Sequence, residues 1–467
     1  MKRHLALIGA CALLVAGGCG SSGPSSSSDT TKPTLPACPL DALNSATKPV
    51  EITYWHAMAR ANEDELKKLT AQFNAQQHDV HVTLSASPSY SDNFTRFKAG
   101  LSTHVLPDLM QSDDTSTQSI IDSGAVLPMA ACVSADHATT ADLLPRVVAY
   151  YTVQGVLWGM PFNDSNLVLY YNKSAFRRAG LDPNTPPVSF DDVRRASQQI
   201  VRSGAAQFGI ALKTDSPYIE HWLAKAGHTF VNNGNGRDRR ATAVTFDDAT
   251  GLSLFQWMDD MVTSKLALST GTSDFNHYFA VGNGQAAMTI DSSAALGTIS
   301  QLFAAGRYKS VELGVGKMPG PNNPDGSVLV GGAANYVVAR SSPAKQAAAY
   351  QFAKFLSSPS VQAQWAAATG YVPVSRSAVR LEPLATRYTR NPEYKVAYDQ
   401  LVEGPVNAAT TGPVIGAYGS KTSGVRGAID DNLSRVLNHE ATPAQALHEA
   451  AQQADAAIEE YNARIAE

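Results

Sequence analysis

The sequence predicts an α/β protein built from two lobes. Segments typical of strands alternate along the chain with amphipathic helical segments, which indicates mainly parallel sheets. The apolar run LVLYY at residues 167–171 lacks strict alternation, as expected for a strand buried on both faces. About 430–450 residues remain after removal of an export leader, which exceeds one typical domain, so we expect two lobes.

The N-terminus predicts export and lipid attachment. Basic residues at positions 2–4 precede an apolar stretch at 5–15, and small residues lead to Cys19. This order is typical of a bacterial lipoprotein, so we expect a signal peptide over 1–18 and acylation of Cys19. The alternative is an ordinary secretory signal with an incidental cysteine. The apolar stretch is shorter than the ~20 residues that a membrane-spanning helix needs.

A flexible tether is predicted after the leader, over residues 19–47, because its first part is rich in Ser, Gly, Thr and Pro. Two cysteines, Cys38 and Cys132, remain once Cys11 is removed and Cys19 is acylated. In an exported protein two such cysteines favour a disulfide, here one that ties the end of the tether to the first lobe. Two free thiols are the alternative.

Composition and motifs exclude several classes of function. The net charge is −4, only 17% of residues are charged and no basic stripe exists, so we expect no nucleic-acid partner. The chain lacks HExxH, GxSxG, a P-loop and a strand–helix GxGxxG, so we expect neither an enzyme nor a cofactor. His78 and His81 have no third ligand nearby, and we expect no metal. A secreted hydrolase is the alternative outside the binding class.

The first half of the chain shows the strand–helix alternation of an α/β lobe. The helix at 62–76 places Leu66, Leu69 and Phe73 on one face. The predicted elements are strand 51–56, helix 62–76, strand 79–84, helix 90–101 and strand 108–111.

The second half begins with the buried strand and a short helix at 174–179 that Gly180 ends. Ser189 is predicted to cap the next helix, whose first turn contains Asp191 and Asp192. The later predicted elements are helix 246–262, strands 285–290, 315–318 and 328–338, and helices that begin near Ser342 and Thr442.

Six segments resemble, in order, those of the periplasmic sugar- and glycerol-phosphate-binding proteins of ABC importers. They are ITYWHAM (52–58), GVLWGMPFNDSNLVLYYNKSAFRRAGLDP (155–183), NGQAAMTIDSSAAL (283–296), GVGKMPGP (314–321), VGGAANYVVA (330–339) and TGYVPVS (369–375). The resemblance implies a periplasmic-binding-protein fold, with interleaved lobes and a hinge. It assigns residues 48–166 and 286–338 to the N-terminal lobe and residues 167–285 and 339–467 to the C-terminal lobe.

The resemblance also implies the partners. We expect a monomer, lipid-anchored to the outer face of the bacterial cytoplasmic membrane, that captures a small solute by lobe closure and delivers it to the permease subunits of an ABC importer. A surface adhesion module without a permease is a further alternative.

The ligand residues are carried over from the family one by one. They are Tyr90, Asp114, Ser165, Ser293, Gly331, Gly332, Tyr371 and Tyr418. Asp113 competes with Asp114, and either carboxylate could instead cap the next helix. Ser293 could be a plain N-cap, or its helix start could bind an anion. The glycine pair fits either a close approach of ligand or a strand bulge.

Two departures from the family leave the ligand open. The loop at 212–218 lacks the two tryptophans of glycerol-3-phosphate-binding members, and their late arginine falls at Tyr418 here. Lys213 or Lys421 could supply positive charge instead. A glycerophosphodiester or glycerol 3-phosphate and a sugar or polyol are both expected candidates, and Asp114 among aromatic residues would suit a choline-type ammonium.

Overall fold

The computed structural model describes residues 34–304, 308, 311–420 and 422–466. Its strands are β1 (Val50–His56), β2 (Val80–Ala86), β3 (Leu109–Asp113), β4 (Thr152–Val153), β5 (Val156–Leu157), β6 (Met160–Ser165), β7 (Leu167–Asn172), β8 (Phe208–Leu212), β9 (Ala267–Ser269), β10 (Ala286–Ser292), β11 (Leu313–Lys317) and β12 (Gly331–Val337).

Its helices are α1 (Arg60–Gln76), α2 (Tyr90–Thr103), α3 (Thr117–Asp122), α4 (Met129–Ala135), α5 (Pro145–Tyr150), α6 (Lys173–Arg178), α7 (Phe190–Arg202), α8 (Ser216–Lys225), α9 (Asn232–Asn235), α10 (Ala249–Thr263), α11 (Asn276–Gly282), α12 (Leu296–Ala304), α13 (Pro343–Leu356), α14 (Pro359–Thr369), α15 (Leu384–Arg390), α16 (Val396–Glu403), α17 (Gly424–Leu437) and α18 (Pro443–Ala466).

The first lobe is built on a five-stranded sheet of order β2-β1-β3-β12-β6. β1 runs parallel to β2 and β3, whereas β12 runs antiparallel to β3 and β6. Aromatic rings of α1 and α13 fill its core, since Phe352 packs edge-on against both Tyr54 and Phe73. The carboxyl ends of β1, β2 and β3 therefore meet at one edge, where open α/β sheets form ligand sites.

The second lobe is built on a sheet of order β11-β7-β10-β8-β9. β7 is buried at every position, which confirms the strand predicted from its uninterrupted apolar run. Ser189 and Asp192 form a capping box that starts α7, in line with the predicted cap. The first residue of this helix, Phe190, stacks on Trp257 at a centroid distance of 4.2 Å.

The chain crosses between the sheets at the predicted place. Asn166 alone separates β6 of the first sheet from β7 of the second. A second crossing lies between β11 and β12, which belong to different sheets. The prediction of a two-lobed α/β fold with interleaved segments is therefore confirmed.

The predicted division of the chain between the lobes differs from the structure in two places. Residues 286–338 were expected in the first lobe, but β10 and β11 pair with β7 in the second sheet. Residues 339–467 were expected in the second lobe, but α13 and α14 pack in the first core. The reason is that the resemblance located the segments along the chain, whereas the lobe of each segment is set by the strand or core against which it packs.

The segment before β1 packs on the first lobe instead of belonging wholly to a tether. Cys38 and Cys132 form a disulfide with a Cα–Cα distance of 4.9 Å, and Leu43 is buried in the same core. The predicted leader and the acylated Cys19 lie outside the described residues. Among the helices that the structure describes, none is both long and apolar enough to span a bilayer.

Candidate functional site

A cleft of about 880 Å³ lies where elements of the two lobes face each other. From the first lobe it is lined by α2 and the turn after β3, with Asp113 and Ser116. From the second lobe it is lined by the start of α8, the segment 416–426 and α18. This size is within the range of pockets that bind small molecules. The predicted ligand residues are not among those that line the cleft, but Asp114 directly follows the lining residue Asp113, and the Tyr418 ring lies 4.7 Å from the guanidinium of the lining residue Arg426.

Tyr90 and Tyr371 meet in the first lobe. The amide of Asn163 donates a hydrogen bond of 2.8 Å to the Tyr90 hydroxyl, and Tyr371 is hydrogen-bonded to both residues. The side-chain N–H of Gln111 donates a hydrogen bond of 2.7 Å to the side-chain oxygen of Asn163. Burial raises the pKa of both tyrosines, so they stay neutral. This part of the first lobe therefore presents neutral hydrogen-bonding groups held in place by a buried amide network.

The two neighbouring aspartates after β3 have different environments. Asp113 accepts hydrogen bonds of 2.6 Å from the hydroxyls of Thr115 and Ser116, so its carboxylate holds the turn together, although it forms no capping hydrogen bond to a backbone N–H of the turn. Asp114 accepts one from Tyr150 at 2.7 Å. Burial raises the pKa of Asp114 to about 7, although the charge of Arg426 acts against the shift. Of the two, Asp114 is the one that interacts electrostatically with both lobes.

Asp164 is a site residue that the sequence reasoning only noted as a neighbour of Ser165. It is fully buried, and neither carboxylate oxygen has a hydrogen-bond partner among the residues that the structure describes. Burial, with a further contribution from the charge of Asp114, raises its pKa well above the usual range. Ser165 itself is buried at the end of β6, opposite Gly331. The sequence signal was a carboxylate directly before the crossing strand.

Ser293 and the glycine pair have structural explanations. The backbone N–H of Asn166 donates to the Ser293 hydroxyl at 3.4 Å, and the cap of the following turn is Ser292. Gly332 has a φ of +107°, and a Cβ there would lie 2.1 Å from the carbonyl oxygen of Asn163. The strand pairing itself therefore requires this glycine. A Cβ on Gly331 would meet only Ser165, at 3.6 Å.

Tyr418 occupies the sequence position of the family's late arginine, and another arginine, Arg426, lies next to it in the structure. Arg426, near the start of α17, forms two hydrogen bonds of 2.7 and 2.6 Å with the carboxylate of Glu220. Its guanidinium lies 4.7 Å from the centre of the buried Tyr418 ring and also lines the cleft. Sequence reasoning missed Arg426 because it follows Tyr418 by eight residues, across a turn that brings the two side chains together.

The other proposed cation is engaged within the second lobe. Lys213 lies 2.8 Å from Asp215 and 3.3 Å from Asp291, and His277 contacts Asp291 at 2.6 Å. Burial would raise the pKa of Asp291, but the charge of Lys213 and the hydrogen bond from His277 outweigh it and lower that pKa. Lys213 therefore has two carboxylate partners. Lys421 lies outside the described residues.

The loop without the tryptophan pair leads into a helix whose own tryptophan is internal. Trp222 is fully buried and donates from Nε1 to the carbonyl of Pro319 at 2.9 Å. Tyr218 donates its hydroxyl proton to the carbonyl of Ile290 at 2.6 Å. Neither aromatic residue replaces the missing pair in the cleft.

The chain was compared with known proteins. The model of the bacterial extracellular solute-binding protein family matches residues 68–396, well over half of the 467 residues. A glycerol-3-phosphate-binding periplasmic protein of Pectobacterium atrosepticum is 29% identical over 92% of this chain and 96% of that protein. A Shigella flexneri protein of the same name is 28% identical over 91% and 94%.

Solved structures share the fold. The cyclic α-maltosyl-1,6-maltose-binding protein of Arthrobacter globiformis superposes with a TM-score of 0.71 at 24% identity, over 88% of this chain and all of that one. UgpB of Mycobacterium tuberculosis, in complex with glycerophosphocholine, has a TM-score of 0.71 at 19% identity, over 89% of this chain and 99% of that one. The sugar-binding protein MalE of Xanthomonas citri has a TM-score of 0.73 at 20% identity, over 90% and 100%.

Proposed function

Since this chain belongs to the bacterial extracellular solute-binding protein family and is the solute-binding protein of an ABC importer, we propose that its solute is a glycerophosphodiester or a related glycerol phosphate. The observation that carries this proposal is Arg426, a largely buried guanidinium on the cleft wall. A guanidinium is well suited to recognise a phosphate group, because its planar donors match the phosphate oxygens. The names of the relatives from Pectobacterium and Shigella support the same class of solute.

The charge of the cleft favours a diester over a monoester. A phosphomonoester carries about −1.5 to −2 charges at pH 7, whereas a diester carries one. Arg426 already shares its charge with Glu220, and Asp114 and Asp164 add acidic groups. A singly charged phosphate is therefore the better match.

Lobe closure is the mechanism that we propose for capture. Tyr90 and Asp114 belong to the first lobe, and Tyr418 and Arg426 to the second. A solute that contacts both walls stabilises the closed arrangement and shifts the population toward it. The closed form would then be recognised by the permease.

A neutral sugar is the second candidate. The hydrogen-bonded group of Tyr90, Asn163 and Tyr371 favours it, because neutral donors and acceptors match sugar hydroxyls. Two structural neighbours, a cyclic α-maltosyl-1,6-maltose-binding protein and a sugar-binding protein, support this candidate at the level of the fold.

A thermal-shift screen of residues 33–467 would distinguish these solutes. The panel is glycerol 3-phosphate, glycerophosphocholine, glycerophosphoethanolamine, maltose and glucose. A ligand at ~100 times its Kd adds ~2.7 kcal/mol, which raises Tm by a few degrees. We expect a shift with at least one phosphate ester, and recovery of that ester unchanged, since we propose that the protein has no catalytic role. A shift with sugars alone would contradict the proposal.

We further propose that Cys19 carries the lipid anchor, which retains a monomeric protein at the outer face of the membrane beside its permease. Replacing Cys19 with Ala should release the protein into the medium or periplasm. Mass spectrometry of the N-terminal peptide should show the acylated cysteine. An unmodified mature N-terminus would contradict the anchor and leave the binding function unaffected.

A further inference from the structure

Asp164 is a buried carboxyl group without a hydrogen-bond partner in the described part of the chain. It is the fifth residue of β6, it is 0% exposed, and both of its carboxylate oxygens lack a partner within the described part of the chain. Buried polar groups in folded proteins are nearly always hydrogen-bonded, and burial without a partner is unfavourable. Asp164 is not itself one of the residues that line the cleft, but it interacts with Asp114, which directly follows the lining residue Asp113. A buried carboxyl group of this kind next to a cleft indicates a partner that arrives with the ligand.

Tyr151, directly after α5, has the same deficit. It is also 0% exposed, and its hydroxyl has no hydrogen-bond partner among the described residues. It interacts electrostatically with Asp164 first and with Asp114 second. The preceding residue, Tyr150, donates its hydroxyl proton to Asp114. Two carboxyl groups and two phenols therefore lie together, and one carboxyl and one phenol have no partner.

The charges in this region are not balanced. Asp114, Asp164 and Glu220 contribute three carboxyl groups, and Arg426 contributes one guanidinium, which is paired with Glu220. The groups around them also include a second guanidinium, that of Arg237, which lies 5.3 Å from the centre of the Tyr150 ring, and the imidazole of His221, which interacts with Arg426. The remaining neighbours are carboxyl groups and phenols: Asp113, Asp430, Tyr90, Tyr150, Tyr151, Tyr336, Tyr371 and Tyr418. Carboxyl groups therefore still outnumber guanidinium groups. A cationic group of the solute would balance this excess of carboxyl groups.

We propose that Asp164 and Tyr151, beside Asp114, form a subsite of the cleft that binds a primary ammonium group of the solute. This inference rests on the proposed function, and it makes the solute a glycerophosphodiester of a primary amino alcohol, with its phosphate near Arg426. A primary ammonium group supplies both positive charge and N–H donors to oxygens that lack them. A trimethylammonium group has no N–H, and a sugar hydroxyl supplies no charge.

Isothermal titration calorimetry with three probes tests this subsite. The probes are glycerophosphoethanolamine, glycerophosphocholine and glycerol 3-phosphate, each titrated at neutral pH in two buffers of different ionisation enthalpy. We expect glycerophosphoethanolamine to bind at least tenfold more tightly than glycerophosphocholine. Its binding should release protons, because an ammonium group favours the ionised carboxyl groups.

Asp164→Asn is the variant that identifies the residue. We expect it to weaken the binding of glycerophosphoethanolamine at least tenfold and to change the affinity for glycerol 3-phosphate less than threefold. It should also lower the number of protons released on binding. Tyr151→Phe should weaken glycerophosphoethanolamine a few-fold. The matched control is Asp136→Asn, since Asp136 is bonded to Tyr350 and Lys354 and does not line the cleft. It should leave all three affinities unchanged.

Each contrary outcome has a distinct meaning. If Asp164→Asn weakens all three esters equally, or none of them, the ammonium subsite is wrong while the proposed solute class stands. Equal affinity for the ethanolamine and choline esters also overturns it. A lower Tm of empty Asp164→Asn would indicate a structural role instead. If only sugars bind, the proposed function fails, and the subsite fails with it.

Discussion

Asp114 and Asp164 of the first lobe form no ion pair within the described part of the chain, whereas Glu220 and Asp291 of the second lobe each do. Glu220 is joined to Arg426 by two hydrogen bonds, and Asp291 lies against Lys213 and His277. The pKa of the unpaired groups is raised by burial, and that of Asp291 is lowered by its partners.

This difference in ion pairing indicates which carboxyl groups a positively charged solute would stabilise. Glu220 and Asp291 are already compensated by their partners, so they gain little from a new cation. Asp430 is an exception in the second lobe, because burial raises its pKa to about 7, as it does for Asp114. Unpaired buried carboxyl groups are unfavourable in the empty protein and improve when a donor arrives. A cationic group of the solute therefore gains most binding energy beside Asp114 and Asp164 of the first lobe. The phosphate of the solute would interact with Arg426 of the second lobe.

The largest expected effect is on the paired groups of the second lobe. Glu220→Gln should lower the free energy of unfolding by about 3 kcal/mol, because it leaves the largely buried Arg426 charge without its partner. Asp164→Asn should cause no such loss. Urea denaturation of the two variants measures both values. The comparison of the two lobes breaks down if Asp164→Asn is the more destabilising change.

The next effect is on affinity at the unpaired groups of the first lobe. Asp114→Asn should weaken binding of the best phosphate ester by at least tenfold, about 1.4 kcal/mol, because it removes the charge while Tyr150 keeps an acceptor. The Tm of the empty protein should not fall. Calorimetric titration measures the affinity, and Asp136→Asn again serves as the control. Unchanged affinity would remove Asp114 from the ligand set.

The stability contributions of Asp114 and Asp291 should also respond to pH in opposite directions. The pKa of Asp114 is raised to about 7, so between pH 4 and 7 the folded state binds more protons than the unfolded state. Its contribution to stability therefore decreases as pH rises through this window. The lowered pKa of Asp291 makes its contribution decrease when pH falls below about 4.

Melting curves from pH 3 to 8 measure both trends. Asp114→Asn should reduce the decrease in Tm between pH 4 and 7 by a few degrees. It should leave the decrease in Tm below pH 4 unchanged. An unaltered profile in this variant would show that Asp114 does not titrate in that window.

The smallest effect is expected at the contact that joins the lobes. Asp122 of the first lobe accepts hydrogen bonds of 2.8 and 2.6 Å from Arg240 and one of 2.8 Å from Tyr461, both of the second lobe. Arg240→Ala should weaken solute binding two- to threefold, because a partly exposed ion pair contributes about 1 kcal/mol or less. Arg239→Ala, an exposed neighbour, is the matched control. Equal affinities of the two variants would show that this contact does not stabilise closure.

Some of this site could be read from local patterns. The motif that spans β6 and β7 identified the crossing, and the resemblance to the family identified Tyr90, Asp114 and Tyr371 as candidates. The ligand roles of these residues remain predictions. Ser293 and Gly332 show the limit of such inference, since a hydrogen bond to Asn166 and a close strand approach explain their identity without a ligand.

Fold class, the strand buried on both faces and the order of the family's segments followed from the sequence, because burial and helix or strand periodicity are encoded over a few residues. The sheet that β10 joins, the approach of Arg426 to Tyr418 and the missing partners of Asp164 followed from folding. These depend on contacts between residues far apart in the chain. Such contacts are set by packing and charge in three dimensions, which no local pattern records.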